Sequence, residues 1–173
     1  GHRSAIFALD LSEDGRTLVT GGGGHAIDVW DLERRAISQT LEAHVDDVLR
    51  VLLFTDEGRV LSTSKDETAI VWDLGTGAPA ATFEGHRNFV EGAALAPDGS
   101  FALTGDREGR AYVWSTATGD ERLALPAQEG PIYATAIHPA GAVGATGGHD
   151  RTIRLWDLED GRELERLVGH AGP

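Results

Sequence analysis

The chain has 173 residues, 40% of them hydrophobic, enough for one folded unit with a core. It has no cysteine, which excludes disulfides, cysteine-based metal sites and a thiol nucleophile. A formal net charge of -13 repels phosphate backbones and argues against nucleic acid as a general partner, and no apolar run reaches the roughly 18 residues of a membrane-spanning helix.

Methionine is absent, which predicts a processed chain or a segment of a longer one. Of the fifteen basic residues only Lys65 is lysine, a bias that points to a GC-rich coding genome of the kind found in bacteria.

In chain order, residues 5–11 form an apolar run that reads as a buried strand, followed by a turn at Asp14-Gly15. Residues 17–20 predict a second strand, the glycines at 21–24 a loop, 26–30 a third strand and 36–41 a fourth. His44 then opens the same plan again, with strands at 48–54, 60–64, 68–72 and 80–83. Gly85-His86 opens a third copy, with strands at 89–95, 101–104, 110–114 and 123–125. Gln128 opens a fourth, with strands at 132–137, 143–146, 152–156 and 163–168, before a further Gly169-His170. No stretch has helical periodicity, and four strands of this spacing per unit predict an all-β repeat. One small sheet cannot bury two apolar faces alone, so neighbouring units must stack.

The four tryptophans, Trp30, Trp72, Trp114 and Trp156, fall 42 residues apart. Trp-Asp recurs at 30–31, 72–73 and 156–157, Gly-His at 1–2, 85–86 and 169–170, and turns of the Pro-Asp-Gly type lie between the first two strands of each unit. With these motifs in register over nearly the whole chain, it resembles the WD-repeat (WD40) family of β-propellers. The resemblance implies an all-β propeller with four antiparallel four-stranded blades, at residues 1–42, 43–84, 85–126 and 127–168, with 169–173 starting another repeat. Family rings mostly have seven blades and occasionally eight. Four blades therefore predict an open arc belonging to a larger ring, or two copies closing into an eight-bladed ring, with a compact four-bladed ring third.

The family's internal tetrad joins a histidine, a Ser or Thr, an Asp and the Trp of each blade. Carried over by position it is His44, Ser62, Asp66 and Trp72 in the second repeat, and His86, Thr104, Glu108 and Trp114 in the third, with Glu in place of Asp. The first repeat supplies His2, Thr20 and Trp30, with Gly24 where the acid belongs. The fourth supplies Thr146, Asp150 and Trp156, with Gln128 in place of histidine. The second repeat should be the most firmly tied, and the glycine loop of the first the most mobile.

A hydroxyl, an imidazole and a carboxylate together also suggest a catalytic triad. Catalysis needs one singular site, whereas these sets recur every 42 residues, which assigns them to structure. No metal site is expected, because His25, His138 and His149 lack a local ligand partner. The glycines at 21–24 have no following Lys-Ser/Thr or helix, and a calcium loop starting at Asp157 would put Val168 where an acid is required; both read as turns. No cofactor is expected.

What varies between repeats is the better functional clue. On the family's geometry one rim would carry Phe7, Asp47, Lys65, Phe89, Glu91, Arg107, Tyr133 and His149. Exposed aromatics beside Arg suit a protein-binding surface, and packing of Phe89 or Tyr133 under a neighbouring loop is the alternative. The resemblance implies a non-catalytic scaffold for proteins or peptides, without nucleic-acid or membrane partners and with self-association of two arcs in play. The alternative is the propeller segment of a larger enzyme or signalling protein.

Overall fold

A computed structural model describes residues 4–55 and 58–169. Among these are sixteen β-strands in four antiparallel sheets, each with its strands in chain order. The first blade has β1 (Ile6–Leu11), β2 (Thr17–Gly22), β3 (Ile27–Asp31) and β4 (Ala36–Leu41). The second has β5 (Val48–Leu53), β6 (Arg59–Ser64), β7 (Ala69–Asp73) and β8 (Ala78–Phe83). The third has β9 (Val90–Leu95), β10 (Phe101–Asp106), β11 (Ala111–Ser115) and β12 (Glu121–Leu125). The fourth has β13 (Ile132–Ile137), β14 (Val143–Gly148), β15 (Thr152–Asp157) and β16 (Glu163–Val168).

The second strand of the first, third and fourth blades runs two residues beyond its apolar stretch. This corrects the expected loop at 21–24. Gly21 and Gly22 are buried in β2, paired with Ala8 and Ile6. The reason is close approach: a Cβ on Gly21 would lie 2.6 Å from Val48 Cγ1 of the next blade, and one on Gly105 2.5 Å from Ile132 Cγ2. These glycines let neighbouring sheets meet, and only Gly23 and Gly24 remain in the turn.

Burial follows from stacking. Val19, Ile27, Val29 and Leu41 of the first blade meet Val48, Val51, Val60 and Trp72 of the second in one cluster. Leu61, Val71 and Phe83 of the second meet Ala102 and Trp114 of the third, and Leu103, Val113 and Leu125 of the third meet Ile132 and Trp156 of the fourth. Each of these tryptophans is thus wedged between its own blade and the preceding one. Burying an indole is worth about 4–6 kcal/mol of transfer free energy as an upper bound. Among the described residues no blade packs ahead of Trp30, which is only half-buried. The outward faces of the first and last blades are open. Leu9 is 64% exposed where its counterpart Val51 is 2%, and Leu167 is 42% exposed where Leu41 is 0%.

Candidate functional site

Two sets of polar side chains stand out, one buried at the blade interfaces and one on the rim above them. The buried set is most complete in the second blade. The Trp72 indole N–H donates to Ser62 Oγ at 2.8 Å, and Ser62 Oγ lies 2.8 Å from His44 Nε2. His44 Nδ1 lies 2.8 Å from Asp66 Oδ2, which also accepts from the Val45 backbone N–H. A carboxylate can only accept, so His44 presents an N–H at Nδ1 to Asp66, while Nε2 faces the Ser62 hydroxyl. Burial works to raise the Asp66 carboxyl, but hydrogen bonds from His44 and Thr68 outweigh it and hold the group well below the usual carboxylate range.

In the third blade Trp114 donates to Thr104 Oγ1 at 3.1 Å, and Thr104 lies 2.7 Å from His86 Nε2. The acid is not Glu108. His86 Nδ1 meets Asp106 Oδ2 at 2.9 Å, with both side chains fully buried. Glu108 is exposed and pairs with Arg110 at 3.1 Å. Asp106 stands at the buried end of β10, two residues ahead of the position spacing assigns, and its other oxygen accepts from the Glu108 and Arg110 N–H groups. Those bonds place the carboxylate over His86, whereas a glutamate in the turn points outward. An aspartate two positions early was the available signal.

The fourth blade uses an amide for the imidazole. Trp156 donates to Thr146 Oγ1 at 2.8 Å, Thr146 donates to Gln128 Oε1, and Gln128 Nε2 donates to Asp150 Oδ2 at 3.5 Å. Arg154 also reaches Asp150, at 3.1 Å. In the first blade Trp30 donates to Thr20 at 2.9 Å. His2 lies outside the described residues.

The Ser62–His44–Asp66 spacing is that of a relay for nucleophilic attack, but the hydroxyl cannot act as one. Ser62 is fully buried and already accepts from Trp72, so no carbonyl can approach it. The chain of bonds locks the indole to the loop, with every partner satisfied.

The rim is built by a contact repeated in all four blades. The loop after the second strand donates a backbone N–H to the segment before or at the start of the first: Gly23 to Ala5 at 3.0 Å, Lys65 to Asp47 at 3.0 Å, Arg107 to Phe89 at 3.1 Å and His149 to Pro131 at 2.8 Å. The side chains at these fixed points differ. Lys65 Nζ pairs with Asp47 Oδ2 at 2.7 Å and sits 6.0 Å from the Phe7 ring centre and 5.7 Å from that of Phe89. Arg107 lies 5.0 Å from the Phe89 ring centre and pairs with Glu91 at 2.6 Å. Phe7, Lys65, Phe89 and Arg107 therefore run as an aromatic–cation sequence across three blades, with Asp47 and Glu91 beside it. Tyr133 and His149 lie apart in the fourth blade. The Tyr133 carbonyl accepts from Arg50 at 3.4 Å, and exposed His149 stands by Gly130.

His25, held at φ 64°, comes near Asp46 and Asp47, a grouping that spacing along the chain did not reveal. The three offer ligand atoms within 4.8 Å of one another. Asp47 already holds the Lys65 ammonium, so a cation is present in the cluster.

A family model described as WD domain, G-beta repeat matches residues 1–31, 36–73, 77–115 and 119–157. The chain is 37% identical over 68 residues to a guanine nucleotide-binding protein subunit beta-like protein of Encephalitozoon cuniculi, covering 39% of this chain and 20% of that protein. It is 31% identical over 67 residues to the LEC14B protein of Lithospermum erythrorhizon, covering 39% of this chain and 14% of the relative. Protein tipD of Dictyostelium discoideum is 30% identical over 69 residues, 40% of this chain and 11% of that protein. The matches thus span a fifth or less of each relative. All three organisms are eukaryotes, which lends no support to a bacterial origin.

Proposed function

The chain belongs to the WD40 repeat family, and we propose that it is a non-catalytic scaffold that holds protein or peptide partners on its rim. The observation that carries this reading is the aromatic–cation sequence Phe7, Lys65, Phe89 and Arg107, mounted on the repeated backbone bridges. Those bridges are shared by all four blades, so the fold does not require these side chains. Rings and cations pre-placed by Asp47 and Glu91 lose little freedom on binding, and such residues dominate binding energy in interfaces. Tyr133 and His149 extend the same rim over the fourth blade. The acidic whole disfavours nucleic acid, and the sealed hydroxyl of Ser62 disfavours hydrolysis, so a fluorophosphonate probe should not label this chain.

Selection of peptides on the folded chain from a displayed random library tests the rim. Peptides enriched on the wild type should lose about tenfold or more in affinity on Phe89→Ala or Lys65→Ala, with unchanged circular dichroism. Enriched peptides that bind the two variants as tightly as the wild type would refute the rim as the binding surface. A second reading, in which these blades serve a larger enzyme or signalling protein, draws support from the small share of each relative that is matched. The complete reading frame separates the two.

A further inference from the structure

We propose that the two open sheet faces are halves of one interface, and that a second copy of this chain covers both, head to tail, in a closed ring of two arcs. The inference rests on the blade faces and not on the rim reading.

Each face keeps the chemistry of a buried one. Ile153, Leu155 and Leu167 stand three repeats after Ile27, Val29 and Leu41, which line the first blade's side of a filled interface. Leu9 and Trp30 stand one repeat before Val51 and Trp72, which line the other side of it.

Steric matching points to these two faces meeting each other. Gly21 faces Val48 and Val51, whose Cγ1 atoms would be 2.6 and 3.2 Å from an added Cβ, and Gly105 faces Ile132 and Thr135, whose Cγ2 atoms would be 2.5 and 3.4 Å away. Where the next blade has the small Ala93, the same position is Thr63. Gly147 repeats the glycine, yet an added Cβ there meets nothing nearer than 3.8 Å, and those atoms belong to its own blade. The residues that would face it in a head-to-tail contact are Ile6 and Leu9, one repeat before Val48 and Val51, two large side chains that need a glycine opposite.

The charges match in the same register. Residue 77 packs on residue 39, because a Cβ on Gly77 would lie 2.3 Å from Gln39 Nε2. One repeat before Gly77 stands Arg35, and three repeats after Gln39 stands Glu165. Both are exposed, and the head-to-tail contact sets them against each other. Two copies are the smallest set that covers every free face. They give eight blades, within the range of known propellers, through a heterologous contact that closes on itself.

Light scattering on the purified chain tests this. The wild type should have a constant mass of twice its 18.3 kDa. Gly147→Val puts a branched side chain against the partner's Ile6 and Leu9 while its Cβ meets its own arc only at an ordinary contact distance of 3.8 Å, and should give a monomer with unchanged circular dichroism. Glu165→Arg should weaken association about tenfold, and adding Arg35→Glu should restore it. Phe89→Ala, on the rim, should leave the mass unchanged, so the two proposals fail separately. A monomeric wild type, as expected if further blades of a longer chain cover these faces, overturns the proposal. So does a Gly147→Val dimer, or a mass that climbs with concentration without a plateau.

Discussion

The first and second blades contain the same strands in the same register and differ in what lies beside them. In the second, Trp72 is sealed against the first blade and closes a four-member hydrogen-bond chain through Ser62, His44 and Asp66. In the first, Trp30 keeps its bond to Thr20 but faces outward and is half-buried, and Leu9 is exposed where Val51 is covered. Burial is therefore a property of the contact between blades and not of the blade. Stability in such an array is close to a sum of blade terms and neighbour terms, and the first blade lacks one neighbour term within the arc.

The largest effect that could break this comparison is at the tryptophans. In the Gly147→Val background, which the proposed ring contact makes monomeric, Trp72→Ala should cost about 3–5 kcal/mol in urea unfolding. Trp30→Ala should cost less than about half as much, since less area is lost from burial. Equal costs would mean that the blade, not its neighbour, sets the burial energy.

The third blade offers a sharper contrast between two nearby acids. Asp106→Ala leaves His86 buried without its acceptor and should cost about 3 kcal/mol, whereas Glu108→Ala should stay within about 0.5 kcal/mol. A reversed order would restore Glu108 to the network.

The smallest effect lies in the acid limb. Asp66 has a folded-state pKa below its ordinary 3.8. Its contribution is therefore fully present above that ordinary value and is lost as pH falls through the folded-state value, where the unfolded chain binds the extra proton. Between about pH 5 and about pH 2 the urea midpoint of the wild type should fall more steeply than that of Asp66→Asn. Parallel curves would remove Asp66 as a source of acid sensitivity.

The fold was legible because its signal is repeated. One tryptophan every 42 residues, with an apolar run before each turn, defines strands and blades without any knowledge of contacts. The signal failed where a residue answers to a neighbouring blade. Gly21 and Gly22 look like loop by composition, yet inside β2 Val48 of the next sheet crowds Gly21, and the Ala5–Ile6 backbone of the adjoining strand crowds Gly22. Position counting also failed at Glu108, since Asp66 and Asp106, two positions apart within the 42-residue repeat, reach the same acceptor place from a turn and from a strand end. On the rim, sequence variation picked out Phe7, Lys65, Phe89 and Arg107 singly. Their alternation depends on distances between blades, which no local pattern encodes, and Tyr133 and His149 belonged to the same list without joining it.

The central claim, that burial belongs to the interface between blades, can be read from four protons. The chain has four tryptophans, and each donates its indole N–H to a hydroxyl on the neighbouring strand. Hydrogen exchange of these four protons in Gly147→Val, followed by NMR, should give three slow rates for Trp72, Trp114 and Trp156, and one much faster rate for Trp30. Four similar rates would contradict the account, because protection would then come from the blade alone.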